Sequence, residues 1–115
     1  MKDDAWSRLS GLLGLGVRSR GVVVGVDRVR EAAFKRTLRF AVVAPDASRH
    51  SLDKVVPLLE ARKIAFVAAP SAEALGAVVG KPTTAVVGVV DLHLARGIRA
   101  IVESGSRGAP REETV

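Results

Sequence analysis

A chain of 115 residues with a formal net charge of +6 has length for one domain and one hydrophobic core. It is 48% hydrophobic yet only 3% aromatic and has no tyrosine, so the core must be built from Val, Leu, Ile and Ala, and a base-stacking platform of several exposed rings is disfavoured. The absence of cysteine excludes disulfides, thiol catalysis and thiolate metal sites together.

The placement of the charge says more than its size. Between positions 18 and 39, Arg18, Arg20, Arg28, Arg30, Lys35, Arg36 and Arg39 stand against only Asp27 and Glu31. That is the electrostatic footprint of a phosphate-binding face, and equally the pattern of a solvated helix face in an arginine-rich chain. Met1-Lys2-Asp3-Asp4 turns acidic at once and no signal peptide is legible; every apolar run is shorter than the ~20 residues of a membrane helix. A soluble, cytoplasmic protein is expected.

Trp6, Leu9, Leu12, Leu13 and Val17 recur at helical spacing and predict an amphipathic first helix that frays near Gly16. Val22-Val23-Val24 reads as a short strand ending at Gly25, and Asp27 to Leu38 as a second helix with Asp27 as its N-cap. Phe40 to Ala44 is a continuous apolar strand closed by Pro45-Asp46. Ser51 to Lys63 predicts a third helix, kinked by Pro57 or beginning there. Ile64 to Ala69 is the next strand; Ser71 caps a short helix that ends at Gly80-Lys81-Pro82. Thr84 to Val90 is a fourth strand, and Asp91 caps a last helix reaching about Val102. Alternating helices and unbroken apolar strands predict an α/β fold with both faces of the sheet covered. Residues 1–103 are assigned to one domain, and residues 104–115, SGSRGAPREETV, to a disordered tail with almost nothing to bury.

Catalytic signatures are missing. Gly76-x-x-x-Gly80-Lys81 is one residue too short for a phosphate-binding loop and has Pro82 where a magnesium-holding hydroxyl belongs, so it reads as a helix C-cap. Gly14-x-Gly16-x-x-Ser19 precedes a strand and lacks the third glycine of a dinucleotide fingerprint. His50 and His93 have no second ligand at metal spacing, and Asp46 and Asp91 read as caps. No cofactor, metal or enzymatic activity is expected.

The runs Gly25-Val26-Asp27-Arg28-Val29-Arg30-Glu31-Ala32, Ala44-Pro45-Asp46-Ala47-Ser48, and Val67-Ala68-Ala69-Pro70-Ser71-x-Glu73-x-Leu75-Gly76-x-x-x-Gly80 resemble the kink-turn RNA-binding proteins. That family includes the archaeal ribosomal protein L-seven-Ae, its eukaryotic relatives and the bacterial YlxQ-type proteins. The resemblance covers about Leu9 to Val102. It implies a three-layer α/β/α sandwich with a central mixed sheet of about four strands and a non-enzymatic, monomeric RNA-binding protein associated with ribosomes or other ribonucleoprotein. It also implies where RNA binds. The family's Gly-x-Asn-Glu-x-x-Lys junction corresponds here to Gly25, Asp27, Arg28 and Glu31, so only the glycine is kept. A second contact loop corresponds to Lys81, Pro82, Thr83, Thr84 and Ala85, and Ser48 falls on a further contact position. Arg28, Arg30, Lys35, Arg36 and Lys81 are expected to neutralise phosphates, and Asp27, Thr83 and Thr84 to hydrogen-bond or line the contact. Because Asp27 lacks the amide donors of Asn and Glu31 places a carboxylate where the family has an ammonium, a protein-interaction module of the same fold that has lost RNA recognition is the alternative.

Overall fold

The computed structural model describes the backbone of residues 3–114 and the side chains of residues 3–104. The chain runs α1 (Asp3–Ser19), β1 (Val22–Val24), α2 (Val26–Phe34), β2 (Phe40–Val43), α3 (Arg49–Ala61), β3 (Phe66–Ala68), α4 (Ala72–Val79), β4 (Val86–Val89) and α5 (Leu92–Thr114). The strands form one mixed sheet in the order β1-β4-β2-β3, with β4 antiparallel to both β1 and β2 and β2 parallel to β3.

The two central strands explain the three layers. All residues of β2 and β4 are buried, and their side chains alternate between two cores because successive residues of a strand point to opposite faces. Phe40, Val42, Val87 and Val89 join Leu9 and Leu13 of α1, Leu75 of α4 and Ile98 of α5. Ala41, Val43 and Val86 join Val29 and Ala33 of α2 and Val55 and Leu59 of α3. Helices α1, α4 and α5 therefore cover one face and α2 and α3 the other, giving the expected α/β/α sandwich.

Several boundaries differ from the sequence reading, each for a physical reason. Helix α1 does not fray at Gly16 but continues to Ser19, because Gly16 is buried and a Cβ there would lie 2.5 Å from Leu94 and 2.7 Å from Val22. The glycine serves close packing. Gly25, not Asp27, is the N-cap of α2, and no side chain bonds to its free N–H groups. That helix stops at Phe34 because Arg36 adopts a left-handed conformation, φ 64°, well before Leu38. Ser48 starts α3 two residues early, at Arg49, by accepting a 3.1 Å bond from the Ser51 N–H. Pro57 lies inside that helix rather than in its first turn, on an exposed face where the carbonyl it leaves unpaired can meet water. Helix α5 is Leu92–Thr114, and the side chains beyond Ser104, on which the reading of a tail with almost nothing to bury rests, lie outside the described residues. No helix among the described residues is long and apolar enough to cross a membrane.

Candidate nucleic-acid interface

The register brings four chain segments to one edge of the sheet. Val24 pairs with Val87, Val43 with Val86, and Ala68 with Val43. The β1–α2 junction, the β2–α3 loop, the β3–α4 loop and the α4–β4 loop therefore all emerge side by side. Helices α2, α3 and α4 begin here, so three N-termini with positive dipole ends share the edge, that of α2 without a side-chain cap.

Gly25, directly after the outer strand β1, has φ 99° and ψ 161°, a region that side chains avoid. Its N–H donates to the Val86 carbonyl at 3.0 Å and its carbonyl accepts from Val29 N–H at 3.0 Å, which pins the turn between β4 and α2. Apart from its two chain neighbours, no atom of the described residues lies within 4 Å of where a Cβ would stand. The glycine is thus required by the backbone and opens onto free space, the condition for a ligand to approach main chain closely.

The neighbouring loops are held by hydrogen bonds among themselves. Ala44 N–H donates to Ala85 O at 2.8 Å and Ala69 N–H to Val43 O at 2.8 Å. The Asp46 carboxylate accepts from Ala72 N–H at 2.7 Å, and Ser71 Oγ accepts from Ala74 N–H at 3.0 Å, so two side chains cap α4. Thr84 N–H donates to Ala72 O at 3.0 Å, drawing the Lys81–Thr84 loop back over the start of that helix. Gly76 makes this possible: a Cβ there would lie 2.6 Å from the Lys81 carbonyl and 2.8 Å from the Cα of Thr83.

Of the residues singled out in the sequence, Gly25, Asp27, Arg28, Ser48, Lys81 and Thr83 are brought together, and all but the half-buried Gly25 are exposed. Ser48 Oγ is committed to its cap and to a 3.1 Å bond to Ser51 Oγ. Thr84 is placed otherwise than expected: it is 6% exposed and its hydroxyl is buried without a partner. Arg30 turns to α3, donating to the Lys54 carbonyl at 2.6 Å with its guanidinium 5.4 Å from the Phe34 ring. Glu31 pairs with Lys35 at 3.3 Å. Lys35 and Arg36 follow the far end of α2, about 15 Å from Gly25 at a 1.5 Å rise per residue, so they do not belong to this edge. Arg49, missed in the sequence, is exposed in the first turn of α3; its position directly after Ser48 was the available signal. His50 and His93 are exposed, and no group of three or more metal-ligating side chains occurs among the described residues.

Comparison with known proteins places this geometry. No curated protein sequence matches the chain at a significant level. Among solved structures, a protein with unknown function from Bacillus halodurans C shares 28% identity and a TM-score of 0.74, over 85% of this chain and 96% of that one. A Giardia lamblia 15.5kD RNA binding protein has the same fold at 17% identity and a TM-score of 0.77, over 90% and 89% of the two chains. The family model of the ribosomal protein L7Ae/L30e/S12e/Gadd45 proteins matches residues 7–96. All four strands, helices α2 to α4, most of α1 and the start of α5 lie within that match, and the chain belongs to the ribosomal protein L7Ae/L30e/S12e/Gadd45 family.

Proposed function

We propose that the protein is a non-enzymatic binder of structured RNA, cytoplasmic and ribosome-associated, that clasps a kinked RNA between the Gly25–Arg28 junction and the Lys81–Thr83 loop. Membership in a ribosomal-protein family supports RNA as the partner, and the sharing of a fold with an RNA binding protein is consistent with it. The observation that carries the reading is Gly25: a positive-φ, open main-chain position at a helix start, beside two further helix N-termini and an exposed loop. Main-chain N–H groups, Arg28 and Lys81 supply donors for phosphate, and Thr83 supplies a hydroxyl for base edges or sugars. A bent RNA offers backbone from two directions at once, which suits an edge with four converging segments.

A gel-shift or anisotropy titration tests it. The protein should bind a kink-turn RNA more tightly than a straight duplex of equal length, and Lys81→Ala with Thr83→Ala should erode that preference. Equal affinity for both RNAs would remove the kink-specific reading. One observation favours the second reading, a protein-interaction module: the exposed Asp27, Asp46 and Glu73 balance Arg28, Arg49 and Lys81, so this edge concentrates no positive charge. Absence of any RNA binding would select that reading.

A further inference from the structure

The chain carries a net +6, and the edge just described is charge-balanced; the excess lies elsewhere. Val22 and Phe40 both pair with Val89, and Ala41 pairs with Phe66. The starts of β1, β2 and β3 thus lie side by side at the opposite edge, and α1, α2 and α3 end there. Arg20, Lys35, Arg36, Arg39, Arg62 and Lys63 are all exposed in these three helix-to-strand turns. Only Lys35 is in a salt bridge among the described residues. Of the nearby carboxylates, Glu31 is its partner, Asp91 caps α5 through the Leu94 N–H at 2.8 Å, and Glu60 is exposed in the last turn of α3.

The backbone at these turns makes the cluster more than a solvated surface. Each of the three helices ends in the same pair of closing bonds. Gly21 N–H donates to Gly16 O at 2.8 Å and Arg20 N–H to Val17 O at 3.4 Å; Thr37 to Ala32 at 3.0 Å and Arg36 to Ala33 at 3.1 Å; Ile64 to Leu59 at 2.9 Å and Lys63 to Glu60 at 3.1 Å. Such a turn needs one left-handed residue, for which glycine is the unstrained choice. Helix α4 uses Gly80, φ 78°. The other three use Arg20, Arg36 and Lys63, with φ 63°, 64° and 57°, and these are the left-handed non-glycine residues among the described residues. Attraction to the helix dipole does not account for them, because in α2 and α3 the C-cap residues Lys35 and Arg62 already place a cation at the C-terminus. Backbone strain is accepted three times, each time for a second positive charge aimed at the same edge.

We propose that this edge is a second phosphate-binding surface, taking the backbone of an RNA duplex through Arg20, Arg36, Arg39 and Lys63. The proposal rests on the reading of the protein as an RNA binder and adds a contact on the side away from Gly25. Sheet order sets β1 and β3 three strand spacings apart, about 14 Å, so the cations form a row rather than a point. A row of unpaired cations complements a polyanion of regular charge spacing, and contacts of this kind position without reading sequence.

Replacing Arg20, Arg36 and Lys63 together by Gly removes the charges and the strain at once. The R20G/R36G/K63G protein should melt at or above the native temperature, yet bind a straight RNA duplex roughly tenfold or more weaker at low salt, with the slope of log affinity against log salt flattened by about 2–3. The charge-retaining R20K/R36K/K63R protein should bind as the native one does. Should the glycine variant fold poorly, Arg39→Glu, at an exposed position on the same edge, should weaken duplex binding in the same salt-dependent way. An unchanged salt slope in the glycine variant, or in Arg39→Glu where that variant replaces it, overturns the proposal. So does a native protein that binds an acidic peptide in preference to RNA. The kink-turn preference of the native protein reports separately on the Gly25 edge: its loss with the duplex effect intact sinks that reading and leaves the second surface standing.

Discussion

The Asp46 carboxylate accepts a 2.7 Å hydrogen bond from the Ala72 N–H, so a residue of the β2–α3 loop caps a helix that begins 26 positions later. Two loops of the Gly25 edge are locked to each other by that bond. Asp46→Ala should cost about 0.5–2 kcal/mol, as loss of a helix cap does, and lower the melting temperature by several degrees. Asp46→Asn keeps an acceptor oxygen and should lose less. Equal melting of the two variants would mean that the bond is replaced by water.

Gly76 fixes the other side of the same edge. Its Cα lies so close to the Lys81–Thr83 backbone that Gly76→Ala should displace the loop, since the atoms met at 2.6–2.9 Å are main-chain atoms that cannot rotate away. A loss of about 1–3 kcal/mol in stability is expected from such overpacking, with a weaker grip on kink-turn RNA, measured by thermal melting and by titration. Native-like binding would show that the loop does not touch RNA.

Thr83 and Thr84 are neighbours with opposite expected behaviour. The Thr84 hydroxyl is buried without a partner, so Thr84→Val should raise stability by about 1–3 kcal/mol and leave RNA affinity unchanged. Thr83 is exposed, and Thr83→Val should leave stability unchanged and weaken RNA binding. Destabilisation by Thr84→Val would indicate that the hydroxyl holds a buried water.

The α2 junction supports a gain-of-function test. Asp27 offers only acceptors, and Glu31 is paired with Lys35 at 3.3 Å in an exposed ion pair. Asp27→Asn, Arg28→Glu and Glu31→Lys combined change the net charge by only one and should strengthen kink-turn binding by about 1–3 kcal/mol, on the order of one good base contact. An affinity no better than native would show that these side chains do not face RNA.

Element order, the two-sided burial of β2 and β4, the Ser71 and Asp91 caps and the stop at Gly80 were determined by the sequence alone, because each depends on alternation or on bonds spanning three or four residues. The family resemblance was legible for the same reason, in short runs around turns. The tertiary structure decided what depends on strand order. The basic stretch from Arg18 to Arg39 is contiguous in sequence, yet the chain crosses the sheet along β1 and returns along α2, leaving Arg28 at the Gly25 edge and Arg20, Arg36 and Arg39 at the other. Asp46 became the cap of α4 rather than of its own helix because β2 and β3 are adjacent and parallel, which sets their following loops side by side. Thr84 was buried because its N–H is bound to Ala72, and nothing in the residues near it foretells that bond. Hydrophobic periodicity specifies which face of an element is covered; which elements become neighbours, and so where separated charges gather, is fixed only when the sheet assembles.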